Sequence, residues 1–563
     1  MLQGRSIESR TKRQRQVTNG DPVFCFYCGN HIHPDTVPAT VMGMEVEPVE
    51  SNTSPSNRRA WMERPSVRIG SRHLMNVAIL LMLPVLVAPT LNWYRTLFVD
   101  PDIWWHLANA RILVEGHRVI WTDPYSFTVV GRPWINWEWL SELPFWFGFK
   151  LLGLRGIYIV SWLILSANIL AVYARGYWKA RSADASLWCA ALAFVLMTVN
   201  SGPRTIEFSY LAMSAMLALL EAHERGNRKW IWLMPVVFCL WINVHGLWFA
   251  GVVLFALYIA SGLFTLSLGA FQQRAHSPAE RKQLIAVFAA SLGALFVNPY
   301  GWHLLWNPVD MMLNQNLSTK FIAEWQPLDF STLEGRFVIV AIGLLVITNM
   351  IRGRQWKLYE LIFVFLAWYA AIAHVRFSYF AAVLLMPMLA QDFARAFNMD
   401  PDSKTIPVMN GLMAVGALVT IAVIFPREAQ LKDRVDMMFP IQTIESLDPT
   451  WRTFNLDYVG GMMDFQGKPT FIDSRFDSFE HAGMMQEFRD MADGTQLFPL
   501  MAKYKVDHVL YKDDTVVAKL LQQSPEWKVI RREKAWQGEY ILFEKAPALA
   551  VPTAPVCPPS AAR

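Results

Sequence analysis

Residues 99–143 read VDPDIWWHLANARILVEGHRVIWTDPYSFTVVGRPWINWEWLSEL and directly follow the first long apolar segment of the chain. The stretch opens with two carboxylates, Asp100 and Asp102, and carries His106, Asp123, Glu138 and Glu142 among six tryptophans. Acidic groups this close to a hydrocarbon boundary are costly unless paired, solvated or bound to a cation, so they read as a functional site. Aromatic residues at this density suit a segment lying at the headgroup level of a membrane.

The surrounding chain supports that setting. Of its 563 residues, 53% are hydrophobic and 17% charged, against about 25% charged in a soluble domain. Apolar windows near the ~20-residue length that spans a bilayer recur throughout, which predicts a polytopic, mostly α-helical membrane bundle. The net charge of +5 is small and sits mostly in loops on one side, so it speaks about topology and not about nucleic acid. Cys25 and Cys28 form an N-terminal CxxC, Cys189 and Cys239 lie in apolar segments and Cys557 in the tail, a pattern that indicates no disulfide framework. The first ~30 residues lack an apolar h-region, so the N-terminus is not expected to be a signal peptide.

Residues 1–72 are polar and basic and are expected to form a disordered cytoplasmic segment. Their one feature is the knuckle Cys25-Phe26-Tyr27-Cys28-Gly29. Zinc would need two further N or S ligands, for which His31 and His33 stand close by, and the competing reading is a reduced, unliganded remnant. Apolar segments follow at 74–98, 154–174, 185–200, 206–220, 230–244, 247–268, 284–297, 336–351, 358–373, 377–389 and 407–426. With about eleven spans and the N-terminus inside, the loops around Arg175, Arg228, Arg281, Arg354 and Lys404 all fall on the cytoplasmic side, as the Lys/Arg bias requires. This holds only if 138–152, interrupted by Pro144 and Gly148, lies in or re-enters the membrane without crossing it. Residues 427–545 have soluble composition, with strand-like runs at 470–472, 508–511, 527–530 and 540–543, and predict a small outer α/β domain. The Pro/Ala-rich tail, 546–563, is expected to be disordered.

With this topology, the polar residues of several loops converge on one face. Asp100-Pro101-Asp102 begins a helical pattern in which Asp100 suits an N-cap, Pro101 the first helical position and Asp102 the dipole of the first turn. Asp102 and His106 are four apart and share a helix face, so the same residues can hold a divalent cation or take a proton from an attacking hydroxyl. Arg204 and Arg376 sit at span ends on the outer side. Each reads alone as a snorkelling anchor, and together, near His245 and His374, they suit a phosphate. Glu324 in EWQP and Asn298 in NPYG are further candidates, although NPYG is also good turn chemistry. Asp473 and Arg475 in FIDSR read as a structural pair at a strand end.

These strings resemble the GT-C superfamily of integral-membrane glycosyltransferases, in which an acidic motif opens the first outer loop. DPDIWWHL, TDPYSFT, GRPWINWEWLSE, NVHG, NPYG, EWQP and FIDSR are similar, as an ordered set, to a bacterial group of GT-C-like proteins. Here Pro101 separates the two aspartates, where the superfamily often has an adjacent pair. The resemblance implies transfer of a sugar from a polyprenyl-phosphate carrier to a glycan, lipid or protein acceptor on the outer face of the bacterial inner membrane. It makes Asp100 or Asp102 the catalytic carboxylate, as base or as ligand of Mg or Mn, with His106 and Glu138 as further participants. The tryptophan-rich segment, including Trp105 and Trp134, would wall a groove for isoprenoid and sugar. Arg204 and Arg376 as holders of the leaving phosphate follow from residue chemistry and not from a family motif. Two rival readings are a transporter or flippase for a lipid-linked saccharide and a catalytically inactive GT-C scaffold.

Overall fold

The computed structural model describes residues 65–90, 100–198, 201–314, 317, 320, 322–399, 405–536 and 538–546. The Cys25–Cys28 knuckle and the Pro/Ala-rich tail lie outside them. The first helix, α1 (Pro65–Thr90), begins earlier than the hydropathy predicts. Its polar first turns are helical because they find partners: Arg72 Nε lies 2.8 Å from Asp184 Oδ1, and Asn410 Nδ2 donates to Ser71 Oγ at 3.0 Å.

In the first loop, α2 (Asp102–Val114) and α3 (Trp139–Leu152) are short. Fourteen residues of α3 reach only about 21 Å, below the ~30 Å hydrocarbon core. The chain then reverses at Gly153, where φ is +62°, and α4 (Leu154–Ala180) runs back along α3. The two helices touch backbone to backbone at Gly148 and Gly156, where any side chain would collide.

The bundle continues with α5 (Ala183–Thr198), α6 (Ile206–Glu224), a 3₁₀ turn leading into α7 (Met234–Val244), and α8 (Trp248–Ser261). The hairpin β1 (Leu266–Leu268) and β2 (Phe271–Gln273) precedes α9 (Pro278–Ala294) and α10 (Trp302–Asn314). The last bundle helices are α11 (Leu333–Ile351), α12 (Leu358–Ala373), α13 (Ser378–Ala396) and α14 (Pro407–Ile424). Among the described residues, five helices are long and apolar enough to cross a membrane: α1, α4, α11, α13 with its preceding turn, and α14. The protein is therefore a multi-pass membrane protein.

Burial orders these helices. Every residue from Ser378 to Ala390 is buried, so α13 is the axis of the bundle. By contrast α14 presents Leu412, Val419 and Val423 outward, the pattern of a lipid-facing helix. At the end of the bundle away from the aspartates, charges fold inward as pairs. Arg175 Nη2 meets Glu221 Oε1 at 2.8 Å, and Arg354 Nε meets Asp392 Oδ1 at 3.1 Å. Arg175, read above as a loop charge, is carried on α4, which extends to Ala180.

After α14, a four-stranded sheet forms in the order β3 (Thr453–Asn455), β4 (His508–Lys512), β6 (Gly538–Lys545), β5 (Trp527–Ala535). Strands β3 and β4 run parallel; the other pairings are antiparallel, with Val509 opposite Phe543. The expected strand at 470–472 does not form, and Thr453–Asn455 takes its place. The reason is Asn455: its side-chain Oδ1 accepts from Phe471 N–H and its Nδ2 donates to the Ile472 carbonyl, both at 2.8 Å. One side chain thus supplies the hydrogen bonds that a neighbouring strand would otherwise provide. Thr470 is left with a single bridge to Ser126 of the first loop. The described residues from Pro65 onward fall in one compact unit, so the sheet packs together with the bundle.

Candidate active site

The centre of the site is the start of α2. Asp100 works with both oxygens: Oδ1 accepts the Asp102 N–H at 3.0 Å, and Oδ2 pairs with Arg204 Nε. It therefore caps the helix from one residue before the N-cap, which is Pro101. Arg204 reaches Glu324 with Nη1, so the guanidinium joins three stretches remote in sequence. Asp102 Oδ1 accepts from Ser474 Oγ at 2.5 Å and Trp105 Nε1 at 3.3 Å. Its second oxygen has no protein partner among the described residues. Burial, assisted by the Asp100 carboxylate, pushes the Asp102 carboxyl up to about 7 against the opposing Ser474, His106 and Arg204.

One turn along, His106 lies between two glutamates. Nδ1 is 2.9 Å from Glu142 Oε1 and Nε2 is 3.3 Å from Glu138 Oε2. Burial opposes its charge, but the Glu142 hydrogen bond and the surrounding carboxylates outweigh it and hold its pKa above the ordinary value. Glu142 is fully buried and also accepts from Asn109 Nδ2 at 3.0 Å and Asn136 Nδ2 at 2.6 Å. Glu138 accepts from Thr205 Oγ1 at 2.8 Å, and burial raises its pKa to about 8. His245 lies in the break between α7 and α8. Its Nδ1 accepts the Leu247 N–H at 3.1 Å, which leaves Nε2 to donate to Glu138 Oε1 at 3.2 Å. Burial, with Arg376 and His106 nearby, holds His245 well below its usual pKa and hence neutral.

Arg376 differs from Arg204. Its guanidinium stacks on Trp325, 4.6 Å from the ring centroid, and its buried Nε has no partner among the described residues. Among the described residues it is a cation without a carboxylate partner, and it lines a cavity. That cavity measures about 660 Å³. Asp102, His106, Glu138, Arg204, Glu324 and Arg376 line it, and so does an apolar wall of Phe249 and Val253 from α8, Met311 from α10, and Leu366 and Tyr369 from α12. Tyr369 is 65% exposed and Phe249 37%, so this wall reaches the outer surface of the helices, where lipid would lie.

No protein-family model matches the chain, and no curated protein matches it. Among solved structures it is similar to the oligosaccharyltransferase of Archaeoglobus fulgidus tethered with an acceptor peptide, at 12% identity and a TM-score of 0.46, over 80% of this chain and 70% of that one. It is also similar to ArnT from Cupriavidus metallidurans bound to undecaprenyl phosphate, at 12% identity and a TM-score of 0.46, over 83% of this chain and 97% of that one. These are likenesses of chain course.

The structure gathers most of the residues singled out in the sequence. Asp102, Trp105, His106, Trp134, Glu138, Arg204, His245, Glu324 and Arg376 all line the one cavity. Asp100 stands behind them. His374 does not line it; its Nδ1 lies 2.6 Å from the Trp325 carbonyl, which helps seat the ring under Arg376. Asn298 serves its turn, accepting the Tyr300 N–H at 2.8 Å. Of the two aspartates read as cation ligands, Asp100 is engaged by Arg204 and the Asp102 N–H. Among the described residues no group of three or more His, Cys, Asp and Glu is placed to hold a metal.

Sequence reasoning missed the contribution of the sheet-bearing part. Ser474, Arg475 and Asp477 also line the cavity. Arg475 does pair with Asp473, at 2.6 Å, but it binds Asp123 of the first loop too, at 2.5 Å, and stacks on Trp134. Trp134 Nε1 in turn donates to Asp477 Oδ2 at 3.2 Å. The string FIDSR reads in sequence as a structural pair, and nothing in it points to a partner in the first loop.

Proposed function

We propose that the protein is a GT-C-type membrane glycosyltransferase that moves a sugar from a polyprenyl-phosphate carrier to an acceptor hydroxyl. One observation carries this reading: a cavity joins a carboxylate, a guanidinium without a carboxylate partner among the described residues, and an apolar wall open toward the lipid. A ligand that fills it must be anionic at one end and long and apolar at the other. A lipid-linked sugar phosphate has that form.

The chemistry follows from the side chains. Arg376 would hold the phosphate, since a guanidinium free of protein carboxylates can meet two phosphate oxygens. Asp102 would act as base. The acceptor hydroxyl oxygen forms a bond to the anomeric carbon, its proton passes to Asp102 Oδ2, and the bond from that carbon to phosphate breaks with inversion. The polyprenyl phosphate leaves with the electron pair. A carboxyl held at about 7 matches such a step near neutral pH. Glu138 and His106 would keep a protonated, hydrogen-bonded floor under the sugar. The topology that agrees with the Lys/Arg distribution puts this face outside the bacterial inner membrane.

The test is transfer of labelled sugar from polyprenyl-phosphate donors by purified protein. Wild type is expected to release polyprenyl phosphate and glycosylated product, and Asp102→Asn to lose at least ~10²-fold in kcat. Equal turnover in both, or movement of intact donor across vesicles with no bond cleaved, would replace this reading with the transporter one.

A further inference from the structure

We infer that Ser474, delivered by the sheet-bearing part of the chain, is a positioning residue for Asp102, so that the membrane helices alone do not complete the site. The inference rests on the reading of Asp102 as base. Ser474 Oγ and Trp105 Nε1 both donate to the same carboxylate oxygen, Oδ1, at 2.5 and 3.3 Å, and the indole also reaches Ser474 Oγ at 3.2 Å. Two donors on one oxygen fix the carboxylate plane and leave Oδ2 as the oxygen available to substrate. Fixing a reacting group in this way is a recognised source of rate.

Ser474 can do this only because its own place is over-determined. Next to it, Arg475 bonds both oxygens of Asp473 and one of Asp123, and its guanidinium lies 4.8 Å from Tyr125 and 4.5 Å from Trp134. On the other side, Asn455 clamps the backbone of Phe471 and Ile472. Behind them the helix Asp457–Phe465 sits directly on the start of α2: a Cβ at Gly461 would stand 2.6 Å from the Pro101 carbonyl oxygen. The hydroxyl is therefore carried to Asp102 by a docked surface, across a separation of 372 residues.

Other charged groups also face Asp102: Asp100 beside it, His106 one turn on, Glu138 at the start of α3, and Arg204 before α6. Ser474 is the contributor from the sheet side, and its hydrogen bond favours the charged carboxylate. Removing it should raise the pH at which Asp102 takes up a proton.

The experiment is carbodiimide labelling of Asp102 across pH, read at residue level by mass spectrometry, since the reagent takes the protonated carboxyl. It uses the full chain in detergent, and sugar transfer is measured alongside. In Ser474→Ala the labelling midpoint is expected to move to higher pH and kcat to fall on the order of tenfold, with KM for the donor unchanged. Ser474→Thr, which keeps a hydroxyl, should restore both. An unmoved midpoint and kcat in Ser474→Ala would overturn the inference, as would equal losses in both variants with a lowered unfolding midpoint. If wild type transfers no sugar, the labelling shift still decides the role of Ser474, and only the proposed function fails.

Discussion

Replacing Arg204 with methionine removes the guanidinium that neutralises Asp100 and Glu324 while keeping an apolar stem of similar length. Asp100 has a side chain only 5% exposed, and it keeps its hydrogen bond to the Asp102 N–H whatever happens to Arg204. It would then be a buried charge facing two other carboxylates with no cation. Breaking a buried pair from one side costs ~3–5 kcal/mol; because Arg204 is 23% exposed, the lower end applies, about 3 kcal/mol. Asp100→Asn behaves differently. The amide oxygen still caps α2 and Arg204 still has Glu324, so the loss should be about 1 kcal/mol. The double variant should cost about 2 kcal/mol, well short of additivity, because the stranded charge is gone. The assay is reversible unfolding in mixed micelles followed by tryptophan fluorescence. Additivity within ~0.5 kcal/mol would refute the claim that these residues form one junction.

Because Asp102 must be ionised to accept a proton and its carboxyl is held at about 7, kcat/KM should be full above that pH and fall as pH drops through it; a flat profile between pH 6 and 8 would contradict the assignment. Gly461→Val should force the helix Asp457–Phe465 off Pro101, at a cost of ~1–3 kcal/mol, and lower transfer although no cavity residue is altered. Phe249→Asp, on the apolar wall, should raise KM for long-chain donors while sparing short-chain, water-soluble ones, measured by comparing the two in the same transfer assay.

Much of the site was legible because its signals are local or run against expectation. The Asp102–His106 spacing declares a shared helix face, and carboxylates beside an apolar segment demand partners. Arginines on the side where positive charge is unusual are conspicuous. The helices of the bundle were likewise legible from apolar runs, since a lipid environment leaves little other choice. What stayed hidden is tertiary. Nothing local distinguishes Arg204, pinned between two carboxylates, from Arg376, which has none among the described residues. Ser474 is one serine among many until the sheet brings it to Asp102. The run 470–472 has the composition of a strand, but the amide of Asn455 takes its backbone hydrogen bonds. The two aspartates look equivalent in sequence, yet Asp100 pairs with an arginine a hundred residues away and Asp102 with a serine of the sheet-bearing part.

In the proposed function the charged cluster and the apolar wall serve one lipid phosphate, and photocrosslinking tests this most directly. A polyprenyl phosphate carrying a photoreactive group in its first isoprene units should label peptides of α8 and α12, and Arg376→Ala should abolish that labelling. Labelling confined to lipid-facing helices such as α14, or unaffected by Arg376→Ala, would contradict it.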